Sequence, residues 1–539
     1  MKLSLNTKEL QDSSKWEEAG YHLPKYDREM MIKDTVANPT WIHFGSGNIF
    51  RAFLANVQEK ILNQGKTNKG IIVSAGFNVD IIKKMYQPND NLSLLVTLKA
   101  DGSVEKRVIG SIAESLSMDT KDERSWTRLK EIFSNPSLQM VSFTITEKGY
   151  SLINAVGEYL PTVLEDFERG PNRAESYIGK LTALLYERYL KGKNPIALVS
   201  MDNFNHNGEK LHHAVLTFAQ KWMENKLVDK GFETYINDES LVTFPWSMID
   251  KITPRPDDSV RELLRKDGFQ DVDNIKTSKE SFIAPFVNAE ESEYLVIEDA
   301  FPNGRPNLEE GGVIFTDRDT VNKVEKMKVG TCLNPLHTAL AIFGCLLGHT
   351  LISEEMKDPE LKTLVERIGY DEGLPVVVNP GIIDPKEFIR EVLELRFPNP
   401  FMPDTPQRIA MDTSQKLSIR FGETIKAYRD REDMNVLDLK YIPLVFSGWC
   451  RYLMAIDDEG KTMELSSDPL LDELTPHVRG IKLGDQGPFH QQLAPILSNE
   501  IIFGVDLYKV GLGELVENYF SELVSEVGAV RRVLKKYVY

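Results

Sequence analysis

The sequence predicts an α/β chain: a doubly wound, mostly parallel sheet over residues 1–322, followed by a mainly α-helical domain over residues 323–539. Three observations predict it. β-type runs alternate with helical periodicity through the first three hundred residues. The first strong β run ends in a glycine turn that opens directly into a helix, and after about residue 320 helical spacing takes over.

The first forty residues are polar, hold Pro24 and Pro39, and read as an irregular lead-in. Trp41-Ile42-His43-Phe44 is then a short β run, Gly45-Ser46-Gly47-Asn48 closes it, and Ile49, Phe53, Val57 and Ile61 mark a helix by their four-residue spacing. Further β runs lie at 71–75, 92–98, 107–112, 140–146 and 196–201, with a helical stretch at 177–189. The stretch 298–312, acidic and containing Gly and Pro, leads to a join near 317–323. Helical runs follow at 336–347, 354–368, 385–395, 444–456 and 515–538.

Composition narrows the function. Lys and Arg number 64 against 81 Asp and Glu, a net charge of −17, which disfavours nucleic acid and anionic lipid as partners. The longest strongly apolar run, 338–348, is eleven residues, short of the ~20 that cross a bilayer. The opening MKLSLNTKEL lacks an apolar signal core, so a cytoplasmic protein is expected, as a monomer or a homo-oligomer. Cys332, Cys345 and Cys450 are too scattered for a disulfide framework and read as buried thiols. The nine histidines show no metal-ligand spacing, and no metal is expected.

Gly45 and Gly47 can supply the tight turn and the close backbone approach of a dinucleotide-binding fold, with the pyrophosphate on the helix start at Asn48 and Ile49. The third glycine of that fingerprint is replaced by Phe50, so an ordinary strand-to-helix turn explains the pair equally well. Arg51 is a further donor to phosphate. The next β run ends near Asn78 and Asp80, where an acid would accept from a ribose 2′-hydroxyl and favour NAD over NADP.

A second cluster spans Lys328 to His337. Asn334 and His337, at i and i+3, share one helix face, and a partly desolvated Lys328 would have a lowered pKa suited to proton transfer. From these residues alone the favoured reading is the structural one, an N-capping Asn334, a core His337 and a solvated Lys328. A third cluster, from Ser200 through Asn203 to Gly208, ends a predicted strand and reads as a ligand site or an Asx-rich turn. Asp250, Arg408 and Lys416 are further polar candidates.

Taken together these segments resemble the long-chain mannitol dehydrogenase family. The resemblance is carried in order by Gly45-Ser-Gly-Asn-Ile-Phe-Arg51-Ala52, Thr144-Ile-Thr-Glu147-Lys-Gly-Tyr150, Asp202-Asn203 with Asn207-Gly208, residues 244–254, Val296-Ile-Glu-Asp299, Asn334 with His337, Arg408 with Lys416, and Trp449-Cys-Arg-Tyr-Leu453. It implies a Rossmann-type NAD(H)-binding domain, a helical substrate domain, and metal-independent interconversion of a ketone and a secondary alcohol. By the same resemblance, Lys328 is the general acid/base and Asn203 and Asn334 bind the reacting oxygen. His337 orients a small sugar-acid substrate, Asp250, Arg408 and Lys416 hold its tail, and Glu147 and Glu325 flank the proton path.

The strings are most like those of the family's mannonate-oxidising members, which implies reversible reduction of D-fructuronate to D-mannonate. Tagaturonate reduction, mannitol 2-dehydrogenation and a non-catalytic NADH sensor are the alternatives. One departure stands out: the family lysine precedes its asparagine by five residues, whereas Lys328 precedes Asn334 by six, which implies an inserted residue or bulge.

Overall fold

A computed structural model of the chain describes residues 2–255 and 258–539. It comprises two compact units, Met1–Lys99 with Ser103–Asn322, and Lys323–Tyr539 with Ala100–Gly102.

The first unit is built on six parallel strands: β1 (Trp41–Phe44), β2 (Ile71–Ala75), β3 (Ile112–Ser117), β4 (Met140–Phe143), β5 (Ile196–Ser200) and β6 (Val242–Thr243). Their spatial order is β3-β2-β1-β4-β5-β6, the order of the doubly wound dinucleotide-binding sheet. Alternate side chains go to opposite faces and both faces are covered. Ile42, Phe44, Val141 and Phe143 join one core, while Trp41, Val73, Met140 and Val199 join the other. The sequence therefore reads as near-continuous apolar runs rather than alternation.

Two expectations for this unit need correction. The lead-in is ordered locally: Asp27 accepts a hydrogen bond from the Met30 N–H and caps α1 (Arg28–Ala37), and Tyr21–His22 forms a short strand. The runs at 92–98 and 107–112 do not join the parallel sheet. Ser93–Leu98 and Val104–Ile109 pair antiparallel in a separate four-stranded sheet with Tyr21–His22 and Phe286–Glu290. The connection between them is a tight turn closed by Lys99 N–H to the Ser103 carbonyl, too short for a parallel crossover.

The second unit is helical. In the described chain, α4 (Arg318–Met327) passes through a single π-turn, Lys328–Cys332, to α5 (Asn334–Leu346). By length and composition the stretch Arg318–Leu346 could span a membrane, but its most apolar window is 78% buried within the protein, the mark of a core helix. α5 packs closely on α6 (Tyr441–Tyr452): a Cβ on Gly448 would lie 2.6 Å from the Phe343 ring. No local side chain caps α6. Instead the buried carboxylate of Glu372 accepts the N–H groups of Lys440, Tyr441 and Ile442 at 2.5, 2.8 and 2.8 Å, and burial pushes its pKa up to about 7. The apolar run at 515–538 is two helices, Gly513–Leu523 and Ala529–Val538, separated where Gly528 adopts φ +82°.

Candidate active site

In the first unit, the site forms where the strand order reverses, between β1 and β4. Gly45 leaves β1 with φ +128°, and a Cβ there would lie 2.3 Å from the Thr144 carbonyl oxygen and 2.5 Å from its hydroxyl, so only glycine fits. Below the turn, His43 bridges the two strands: its ring nitrogens lie 2.7 Å from the Ser142 hydroxyl and 2.8 Å from that of Thr144, and its ring stacks on Phe50. Burial pulls the His43 pKa down to about 3, so the bridge is neutral. Gly47 has open space where a side chain would be, and Asn48 and Ile49 begin the helix, with N–H groups that lack intrahelical acceptors by position. This cradle fits a pyrophosphate.

Arg51 does not belong to it, contrary to the sequence expectation. It lies in the π-turn Phe50–Leu54 that precedes α2 (Ala55–Asn63), and its side chain is buried in the core. Its guanidinium donates to the Ala284 carbonyl at 2.7 Å and to the Asn48 side chain at 2.9 Å, so it braces the turn from behind. The acid after β2 is also engaged: Asp80 accepts the Ser278 N–H at 2.8 Å and pairs with Lys84 at 3.1 Å, while Asn78 donates to the Ser281 hydroxyl. Beside them Phe77 is 76% exposed, an aromatic face that the sequence reading passed over.

At the end of β5, Asp202 organises the loop after β4. Its carboxylate accepts the Ile145 and Thr146 N–H groups at 2.8 and 3.0 Å and the Tyr150 hydroxyl at 2.6 Å, and burial raises its pKa. Asn207, at the start of α3 (Asn207–Glu224), is a buried brace between Ser200, Asp202 and Ser247. Asn203 is exposed, with an amide that bonds to no described residue. Glu147 is exposed and paired with Lys210, and Asp250 is buried on the strand Ser247–Asp250.

In the second unit, Lys328, Asn334 and His337 lie along one helical path. The π-turn is closed by the Leu333 N–H donating to the Lys328 carbonyl at 3.1 Å, an i to i+5 bond that takes up one extra residue without breaking the helix. Lys328 is buried, 4% exposed, rather than solvated. Asn334 is the first helical residue and not the cap, a position held by Leu333, and its amide makes no hydrogen bond to a described residue. Glu325 lies one turn before Lys328.

His337 sits among cations. Burial together with Arg420, Arg396, Arg408 and Lys416 pulls its pKa down to about 3, which keeps the ring neutral. Its Nε2 atom is buried without a hydrogen bond, 3.8 Å from an Asp404 oxygen, and Phe397 lies against the ring. Arg408 is ion-paired with Asp404, and Lys416 donates to the Met411 carbonyl. Burial, reinforced by Arg420, lowers the Lys416 pKa. Arg420 escaped the sequence reading. It lies in another π-turn, Ser418–Gly422, and donates to the Thr338 hydroxyl, which in turn donates to the Asn334 carbonyl at 2.9 Å.

Residues 39–310 match the profile of the Mannitol dehydrogenase Rossmann domain, and residues 320–523 match that of the Mannitol dehydrogenase C-terminal domain. The chain belongs to the mannitol dehydrogenase family. Among relatives, it is 53% identical to the D-mannonate oxidoreductase of Thermotoga maritima over 538 residues, 99% of each chain, and 28% identical to the mannitol 2-dehydrogenase of Neosartorya fischeri, also over 99% of each. Two solved structures share the fold. One is a substrate-free D-sorbitol dehydrogenase, with TM-score 0.78, 24% identity, and coverage of 99% of this chain and 100% of that one. The other is the Pseudomonas fluorescens mannitol 2-dehydrogenase in a ternary complex with NAD and D-mannitol, with TM-score 0.66, 26% identity and 99% of each chain. A mannitol dehydrogenase family member is an oxidoreductase, and the expected pairing of a Rossmann-type domain with a helical domain is met.

Proposed function

We propose that the chain catalyses the NAD(H)-dependent, reversible reduction of D-fructuronate to D-mannonate. One observation carries the choice of a sugar acid over a neutral polyol: of the four cations that act on His337, Arg420 has no carboxylate among the described residues acting on it, and such a cation favours an anionic substrate. The name of the 53% identical relative supports the same reading.

The backbone at Gly45 and Gly47 and the helix start at Asn48 and Ile49 would hold the cofactor's pyrophosphate, with Asn78 and Asp80 near its ribose. When bound, the cofactor supplies or accepts the hydride. The chain's own groups do the rest. Asn203 and Asn334 are the proposed amide donors to the reacting oxygen, where negative charge grows during reduction. Lys328 gives that oxygen its proton and takes it back in the reverse direction. Neutral His337 offers an unpaired nitrogen to a substrate hydroxyl. Asp250, Arg408 and Lys416 hold the substrate's tail, and Glu147 and Glu325 serve the proton path.

Following NADH absorbance with fructuronate, tagaturonate and fructose tests the reading. The expected result is a kcat/KM for fructuronate well above the other two. A preference for fructose, or no turnover of any of the three, would overturn it.

A further inference from the structure

Arg420 is partly buried, and this burial alone pulls its pKa down to about 10, with no carboxylate among the described residues acting on it. Its one hydrogen bond to a described residue goes to the neutral Thr338 hydroxyl. A guanidinium presents five donors, and a cation withdrawn even partly from water without a counter-ion is costly. The neighbouring cations are differently placed: Arg408 is neutralised by Asp404, and Lys416 has Asp412 and Asp468 within electrostatic reach. Through Thr338, Arg420 is tethered to the turn of α5 that carries both Asn334 and His337.

We propose that Arg420 is the residue that binds the substrate's carboxylate, and that the substrate itself is its missing counter-ion. This rests on the sugar-acid reading above and sharpens it, since Arg408, already paired, is left to grip hydroxyls or to hold Asp404 beside His337. A planar guanidinium meets a carboxylate with two parallel hydrogen bonds, which an ammonium cannot do. The hydroxymethyl group of fructose, standing where fructuronate has its carboxylate, offers no charge to match.

The test compares wild type, Arg420→Met and Arg420→Lys on fructuronate and on fructose. Arg420→Met should lower the fructuronate-to-fructose ratio of kcat/KM by at least about tenfold, and Arg420→Lys should recover part of that ratio. Equal losses on both ketoses, or none on fructuronate, overturn the assignment while leaving the fructuronate reading standing. If wild type turns over neither ketose, that reading fails, and thermal melting with D-mannonate decides for Arg420 by itself. A mannonate-induced rise in wild type that is absent in Arg420→Met supports the anchor; no rise in wild type, or the same rise in both, overturns it. The ligand-free Arg420→Met protein should melt at or above the wild-type temperature, because a partly buried, uncompensated charge has been removed.

Discussion

A Cβ on Gly45 would stand 2.3 Å from the carbonyl oxygen of Thr144, so β1 and β4 meet backbone to backbone where the sheet order reverses. Gly45→Ala combines that overlap with an unfavourable φ. It should cost about 1–3 kcal/mol in urea unfolding and weaken NADH binding at least tenfold by fluorescence titration. Gly47→Ala is the complementary case. Its side chain enters open space, so stability should change by less than about 1 kcal/mol, and a loss of NADH affinity there reports the approach of the ligand itself.

Lys328→Met should lower turnover by about 10²–10⁴ while leaving the NADH dissociation constant within about twofold. Asn334→Ala should lower it by about 10²–10³. Stopped-flow NADH oxidation checks both, and a Lys328→Met enzyme of normal rate would remove the lysine from proton transfer.

Acid sensitivity should map to His43. Burial holds its pKa at about 3 against an ordinary 6.5. Between those values the unfolded chain binds a proton that the folded chain refuses. The stability it contributes is therefore complete above pH 6.5 and is lost as pH falls, at up to about 1.4 kcal/mol per pH unit. Glu59 and Glu372, raised to about 7 by burial, act with the opposite sign, since their contribution is lost as pH rises toward 7. Comparing His43→Gln with wild type by urea unfolding isolates the histidine. The stability gap between the two should narrow by about 1 kcal/mol from pH 7.5 to 5.5, and a gap constant with pH would mean the imidazole titrates normally.

Deleting Gly330 tests the π-turn. Removing one residue between Lys328 and Asn334 restores the family's five-residue spacing and lets the i to i+5 ring close to an ordinary α turn. Gly330 has only the Ile419 carbonyl oxygen near its side-chain position, at 3.7 Å, so the deletion should fold, with a melting temperature within a few degrees and at least a tenth of wild-type turnover. A folded but inactive deletion would show that the wider ring is needed to aim the lysine.

The sequence exposed what is local. Strand, glycine turn and helix succeed one another within twenty-one residues at Trp41 to Ile61, and Lys328, Asn334 and His337 lie within ten, so their pattern survives without a third dimension. The hairpin at 93–109 was misplaced because its neighbour, Phe286–Glu290, arrives nearly two hundred residues later. Arg51 was misread because position in a chain does not say which way a side chain leaves a π-turn. Arg420 was missed for a related reason: among many arginines, nothing in the sequence marks one that ends partly buried beside a hydroxyl instead of an acid.

The capping of α6 by Glu372 ties the birth of that helix to a residue nearly seventy positions upstream. Without Glu372 those three amides lose their acceptor, since the residue at the cap position, Lys440, makes no side-chain cap bond. The central hydrophobic rod of the helical unit is thus an outcome of assembly rather than a seed for it, and Glu372→Ala should loosen α6 in hydrogen exchange before it melts the whole unit.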